Sequence, residues 1–357
     1  LPPANGTLNN ITISARKAFI ETRPGKTVVN MDAGISTAGT TVLEALQKLP
    51  GITVDKDGNL SLKGKAGVTV LVDGRQTFLD AAQLSNLLAG MNASQLSQVE
   101  IMEQPSAEFD AAGSAGIINL KLKKNTQKGF NGSITTSYAQ GFYPKNNHNL
   151  QLNFRSGAFN WFLNDGVNNY QSFTRIEALR TYFQSDGVTV NSVLEQPSFL
   201  KGNGFTHNLR TGVDYTLSPK TTIGLVLNGL SLSRKGAGNN TALWLNASRQ
   251  TDSLIQTQSR TSNHWKNGGL NLNLRHAFTP KSDLSIDADL IGYRISGDQF
   301  FQNNGRQPVV YTETSRADLP STIQIFSAKA DYTEQGQSLT LKAGAKTSRI
   351  KTDNLAA

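Results

Sequence analysis

In Leu270–Arg275, LNLNLR, three leucines alternate strictly with two amides and a cation, so one face of an extended chain is aliphatic and the other wet. The same period of two runs through SITTSY, NLQLNF, FNWFLN, VDYTLS, IGLVLN, LNLNLRHAF, DLSIDADLI, IQIFSAKADY and SLTLKAGAK, between Ser133 and Lys346. No helical periodicity of three turns interrupts it. In LSIDADL the polar face carries Ser285, Asp287 and Asp289. Carboxylates and amides opposite leucines suit a water-filled lumen opposite lipid, the pattern of a transmembrane β-barrel. A soluble antiparallel sheet also alternates. Its strands usually run only ~3–10 residues, which argues for the barrel.

Turn chemistry adds an asymmetry. Tight polar turns start at Ser156, Ser218, Thr279 and Glu334, at intervals of 62, 61 and 55 residues. Between them lie long Asn/Gly/Ser-rich stretches such as RKGAGNNTALWLNASRQTDS, read as long loops on the opposite side. Short periplasmic turns against long outer loops is the habit of outer-membrane barrels. The scheme predicts about nine strands. Nine can neither close in the even-numbered manner of bacterial barrels nor enclose a large domain. The expectation is therefore the N-terminal part of a longer barrel chain.

Composition bounds the alternatives. Hydrophobic residues make up 37%, too few for a helical membrane bundle, and no apolar run reaches the ~18 residues of a spanning helix. The absence of cysteine removes disulfides, thiolate nucleophiles and Cys-based metal sites. LPPANG at the start has neither a basic nor an apolar signal region, so either the protein is not secreted or a signal peptide precedes residue 1.

The chain changes character near residue 125. All three methionines precede that point, and all tryptophans and histidines follow it. The first 125 residues carry 12 basic and 11 acidic side chains, so a net of +8 out of the total +9 falls on the remainder. The first region reads as a small α+β unit. Thr41 and Glu44 form a capping box before a helix with Val42, Leu43, Leu46 and Leu49 on one face, stopped at Pro50-Gly51. Strands ITVD, NLSLK and VTVLVDG follow, with a DG turn at Asp57-Gly58. A second helix is capped by Asp80 with Gln83, presents Leu84, Leu87 and Leu88, and closes at Gly90. Asn92 with Gln95 repeats the capping pattern before the strand VEIME.

PSAEFDAAGSAGIINLKLKK, from Pro105, has the glycines of a phosphate cradle. Such a loop must open a helix. Here Ile118, Leu120 and Leu122 alternate with Asn119, Lys121 and Lys123, which is a strand, and no Gly-Lys-Ser/Thr closes the loop. The small residues instead let backbone turn tightly against a neighbouring surface at Gly113 and Gly116. Pro105 supplies the break after VEIME.

VLEALQKLPGITVDKDGNLSLKG, VTVLVDGRQTFL, VEIMEQPSAEFDAAGSAGIINLKLKK and GFNGSI, in this order, resemble the plug domain of TonB-dependent outer-membrane receptors, and within them the Bacteroidetes-type outer-membrane β-barrel family. The resemblance implies three parts: an N-terminal segment over 1–28, a plug over 29–126, and the first part of a transmembrane barrel over 127–357, incomplete in this chain. It implies energised uptake of a scarce ligand, of the siderophore, glycan, peptide or cobalamin class, with the plug facing the periplasm. A non-transporting outer-membrane protein of the same build, in adhesion or signalling, is the alternative. The partners implied are the inner-membrane TonB complex, outer-membrane lipid or lipopolysaccharide, and a small ligand.

The segment that TonB would engage is ITISA, Ile11, Thr12, Ile13, Ser14 and Ala15, through strand addition. An ordinary first plug strand explains the same five residues. Asp73, Gly74 and Arg75 match the family's plug hairpin, with Pro105, Asp110, Gly113, Gly116 and Asn119 as further structural positions. Asp73-Gly74 is turn chemistry, and no His, Ser or Lys sits beside it in sequence to make a catalytic group of Asp73.

The expectation is not an enzyme, with no cofactor. The histidines show no HxH or HExxH spacing, so no metal is expected. Asp287 and Asp289 share a strand face as a glycosidase pair would, and lumen lining explains them more simply. A soluble β-rich carbohydrate-active enzyme is the remaining alternative. Trp161, Trp244, Trp265, Phe130, Phe142 and Tyr143 suit either interfacial aromatic girdles or ligand-contacting loops. The basic residues are dispersed and not striped with aromatics, so nucleic acid is not an expected partner. Cations near a barrel rim can instead meet lipopolysaccharide phosphates.

Overall fold

The computed structural model describes residues 18–34, 40–55, 58–77, 79, 81–105, 115–123 and 127–354. In the N-terminal unit, β1 (Ile20–Arg23) and β2 (Lys26–Asn30) form a hairpin, followed by helices α1 (Met31–Gly34) and α2 (Val42–Gln47). Strands β3 (Ile52–Val54), β4 (Leu60–Leu62) and β5 (Lys65–Ala66) make a small sheet of their own. Then come β6 (Thr69–Val72), β7 (Arg75–Gln76), helix α3 (Ala81–Gly90), β8 (Leu96–Met102) and β9 (Ile117–Leu122). The larger sheet runs β1-β2-β8-β9-β6-β7, with β6 and β9 its parallel pair.

Local chemistry sets these boundaries. The Glu44 backbone N–H donates to Thr41 Oγ1 at 3.2 Å, and Thr41 N–H donates to Glu44 Oε2 at 2.9 Å, closing the expected capping box. Such a cap is worth ~1 kcal/mol. At Asn92 the cap takes a different partner. Its side chain accepts from Ser94 N–H, while Gln95 is buried and donates to Asn149 of the long sheet. Asp57 and Asp80 lie outside the described residues. Leu46, Leu88, Leu96, Val99, Ile118 and Leu120 are wholly shielded from solvent and form one core, each contributing ~1.5–3 kcal/mol by burial.

Gly116 enters β9 at φ +114°, and a Cβ there would lie 2.5 Å from the Met102 carbonyl oxygen. Backbone crowding and a left-handed φ act together at this position. Gly116→Ala is expected to lower the stability of the N-terminal unit by about 2–4 kcal/mol. Urea unfolding followed by exchange of the β9 amides reads this out, and an unchanged midpoint would contradict it.

The remainder is one antiparallel sheet. Its strands are β10 (Gly129–Gln140), β11 (Pro144–Ser156), β12 (Phe159–Phe183), β13 (Val190–Ser218) and β14 (Thr221–Asn246). They continue as β15 (Thr251–Thr279), β16 (Ser282–Gln307), β17 (Tyr311–Asp318), β18 (Ser321–Gln335) and β19 (Thr340–Asn354). Among the described residues β10 and β19 are its edges, and the sheet does not close on itself.

Two expectations need correction here. The Asn/Gly/Ser-rich stretches are not long loops. They are the outer halves of the same strands, so β12 to β16 run 25 to 29 residues against the ~9–11 that cross a membrane. Once a hairpin is zipped, pairing satisfies every further N–H and C=O, and weak strand formers are carried along. In RKGAGNNTALWL each residue has a register partner on β15, from Arg234 opposite Asn263 to Leu245 opposite Thr251. The second is the count of about nine strands: among the described residues the sheet has ten, and the extra one, β17, lies outside the nine alternating segments. β17 pairs with Asp298–Gly305 of β16, while β18 takes the inner half of the same strand. Gly297 and Leu319 exchange backbone bonds of 3.2 and 2.8 Å at the break between them.

Candidate functional site

Which face of the long sheet is internal follows from what its side chains reach. Tyr293 donates to the Thr77 carbonyl at 2.6 Å, and Tyr170 donates to Asn86 Oδ1 at 3.2 Å, both in the N-terminal unit. Their strand alternates, such as Leu290 at 54% exposure on β16, point away. No helix among the described residues is long and apolar enough to cross a membrane, and the strands carry the apolar outer face.

The turn Asp73-Gly74 is where the two parts lock. With φ of +52° and +82° it is a two-residue turn between β6 and β7 of the kind that matches strand twist. Asp73 N–H donates to the Leu120 carbonyl at 2.8 Å. Leu122 N–H donates to Asp73 Oδ1 at 3.0 Å. Gly74 N–H donates to Asn119 Oδ1 at 2.9 Å. Asn119 is buried, and its Nδ2 donates to Glu100 Oε2 at 2.7 Å. The other Glu100 oxygen pairs with Lys26. Burial pushes the Glu100 carboxyl upward. The Lys26 bond, the charges of Lys121 and Lys26, and the Asn119 bond outweigh it and hold the group below its ordinary range.

From this tip two ion pairs cross to the long sheet. Arg210 of β13 reaches Asp73 Oδ2 at 3.0 Å, its guanidinium 5.0 Å from the Phe162 ring centroid. Arg75 reaches Asp287 Oδ1 of β16 at 2.8 Å. Asn271 donates to Asp289 at 2.8 Å, and Ser327 to the other Asp289 oxygen at 3.3 Å. The α3 end is held differently, by neutral donors. Asn168 and Asn147 donate to the Ala89 carbonyl at 2.9 and 3.3 Å. Between the N-terminal unit and the sheet lies a cavity of about 660 Å³, lined among others by Lys26, Asp73, Glu100, Arg210, Asp287 and Lys329.

Among the sequence candidates, the structure brings Asp73, Gly74, Arg75 and Asn119 together at this junction. Gly116 sits at the base of β9, and Pro105 follows the end of β8. Asp110, Gly113 and Ile11–Ala15 lie outside the described residues. Arg210 was not singled out from sequence. Its signal is a lone cation on the inner face of NLRTGVDY, legible only once the partner turn is known. Asp287 serves Arg75 and not a second carboxylate.

Among the described residues no three His, Asp or Glu gather as a metal site. His207 pairs with Asp165 at 2.6 Å, and His276 meets Thr221 at 2.8 Å. The aromatics fall into two groups. Phe154–Phe159 and Phe278–Tyr332 sit by the tight turns, and Phe142, Tyr143, Phe173 and Phe199 cluster farther up. Trp244 stacks on Tyr182 near the outer tips, at 5.3 Å between centroids.

A family model described as "Outer membrane protein beta-barrel family" matches residues 276–357. Among solved structures, the FpvAI–pyocin S2 complex is similar at a TM-score of 0.55 and 12% identity, over 96% of this chain and 52% of that one. P. aeruginosa FpvA bound to a pyoverdine–Fe complex is similar at 0.53 and 12%, over 97% and 53%. The chain has the fold of a TonB-dependent receptor. It is a protein of the outer membrane, a plug followed by an antiparallel transmembrane barrel wall. The Pseudomonas aeruginosa ferric enterobactin receptor mutant R480A with enterobactin is also similar, at 0.46 and 9%, over 90% and 64%. The chain spans about half the length of the two FpvA structures. A search of curated protein sequences finds no match.

Proposed function

We propose that this chain is the plug and part of the wall of a TonB-dependent transporter that takes up a scarce ligand from the outer side. The observation that carries the reading is the double latch. One plug turn is clipped to β13 and to β16 by separate ion pairs beside a polar cavity, an attachment of polar contacts and not of a continuous apolar core. In this reading residues 1–28 hold the segment that TonB engages at Ile11–Ala15, 29–126 are the plug, and 127–357 belong to the wall. The tight turns face the periplasm, and the long outer strand halves form the vestibule that receives ligand. The ligand belongs to the siderophore, glycan, peptide or cobalamin class, and the iron–pyoverdine complex of FpvA supports the first of these. No step calls for a catalytic group.

The test uses cells producing the intact protein, offered radiolabelled ferric siderophore, oligosaccharide, oligopeptide and cobalamin in turn. One class is expected to accumulate, to stop accumulating when a protonophore collapses the proton gradient, and to bind at the surface but no longer enter when residues 8–15 are deleted. Accumulation that ignores both treatments would remove the transport reading and leave adhesion or signalling.

A further inference from the structure

The outer face of β14 to β19 carries an ordered gradient of chemistry. Because Asn267 and Tyr293 line the plug side, their neighbours Lys266, Gly268, Gly292 and Arg294 point outward. One register row reads Leu227, Leu270, Leu290 and Phe326, with Leu227, Leu290 and Phe326 44, 54 and 44% exposed. Two residues farther from the tight turns the row reads Gly229, Gly268, Gly292 and Gln324. Two residues farther again it reads Ser231, Lys266, Arg294 and Thr322. A shallow groove of about 750 Å³ is lined by the β15, β16 and β18 members of the first two rows, with Arg349 and Lys351 of β19 along its far side, and Lys266 and Arg294 stand in the row next beyond it.

Lys266 and Arg294 are direct cross-strand partners, and both are exposed. Like charges placed directly opposite repel. Among the described residues neither has a carboxylate within ion-pair distance, nor do Arg349 and Lys351. The nearest acid in the row, Asp353, stands two strands beyond Arg294, ~10 Å away at ordinary strand spacing. Height fixes the setting. Lys266 is thirteen residues from Thr279, the inner end of β15. At ~3.3 Å per residue and ~40° of tilt this is ~33 Å, just above an apolar band ~25 Å tall. The cations therefore stand where the outer leaflet's headgroups begin, over a leucine row that lies in its hydrocarbon.

We infer that this groove binds a phosphorylated lipid of the outer leaflet, its phosphate bridging Lys266 and Arg294 and one acyl chain lying along the Leu270–Leu290–Phe326 row. The phosphate turns a repulsive pair into two charge-assisted contacts. Gly268 and Gly292 leave the bed open, since a Cβ at either would meet nothing within 4 Å. The inference rests on the outer-membrane setting and is independent of transport.

The test is native mass spectrometry of the intact detergent-solubilised protein with added bis-phosphorylated lipid A. Wild type is expected to hold one lipid through gentle activation. K266Q/R294Q should need about 30-fold more lipid for the same occupancy, the scale of two surface cations. G268W, which fills the bed and keeps both charges, should weaken binding as well. Heat-modifiable gel migration checks that each variant is folded. Equal occupancy in K266Q/R294Q, equal binding of dephosphorylated lipid A, or full displacement by millimolar inorganic phosphate would each overturn the site.

Discussion

Arg210→Ala is expected to free the plug turn from the wall while leaving α3 seated. Asp73 and Arg210 have side chains 22 and 26% exposed, so the pair is largely withdrawn from water. Truncating Arg210 leaves the Asp73 carboxylate with only the Leu122 N–H on one oxygen and removes the cation from the Phe162 ring. Breaking one side of a fully buried pair costs ~3–5 kcal/mol, and partial exposure here reduces that to about 2–3 kcal/mol. The cost falls on seating the hairpin. Hydrogen exchange of the intact protein should quicken about 30-fold or more at Leu71–Gln76 and Leu120–Leu122. Amides of α3, held by Asn147 and Asn168, should change little. Arg210→Lys should recover part of the protection, because an ammonium keeps the charge and loses the planar stack. Asp73→Asn combined with Arg210→Ala should cost less than the sum of the single changes. Strict additivity, or unchanged exchange in the hairpin, would show that the pair does not hold the plug.

What was legible in the sequence divides along a physical line. Alternation marked the inner half of each strand, because there one face meets lipid and the other water, as at Leu270–Arg275. Above the membrane both faces are wet, the pattern dissolves, and RKGAGNNTALWL looks like loop although it is paired throughout on β15. The Thr41–Glu44 cap was legible because its geometry is local. So was the Asp73-Gly74 turn, where two adjacent positive φ values need residues that tolerate them. The latch was not. Asp73 and Arg210 are 137 residues apart, and Arg75 and Asp287 are 212 apart. Nothing in a strand's own alternation says which inward cation will meet which plug turn. Asp287 and Asp289 were readable as lumen carboxylates, but their separate partners, Arg75 and Asn271, come only from the packing of plug on wall.

The α3 contact allows an all-or-none test of how the plug leaves. A Cβ built on Gly90 lies 3.6 Å from Thr206 Cβ of β13, within the ~3.5–4.5 Å that a disulfide spans. The sequence has no cysteine, so Gly90→Cys with Thr206→Cys would introduce the only two thiols in this chain. Gly90 has no positive φ, and replacing Thr206 removes the methyl that a new side chain would meet at 3.0 Å. The helix cannot cheaply stay behind if the rest of the plug goes. Leu84, Leu88 and Met91 belong to the same core as Leu96, Val99 and Ile118, and stripping one such leucine from a core costs ~2–5 kcal/mol. The plug should therefore move with α3 or not at all. For the intact protein in a planar bilayer, urea weakens the polar and apolar seating, and the reduced double variant is expected to open to a stable conductance. The oxidised form should stay closed at the same urea concentration and open on adding reductant. Opening with the disulfide intact would mean that the hairpin side swings away from β16 while α3 remains on the wall. The path would then run through the 660 Å³ cavity beside Arg75 and Asp287.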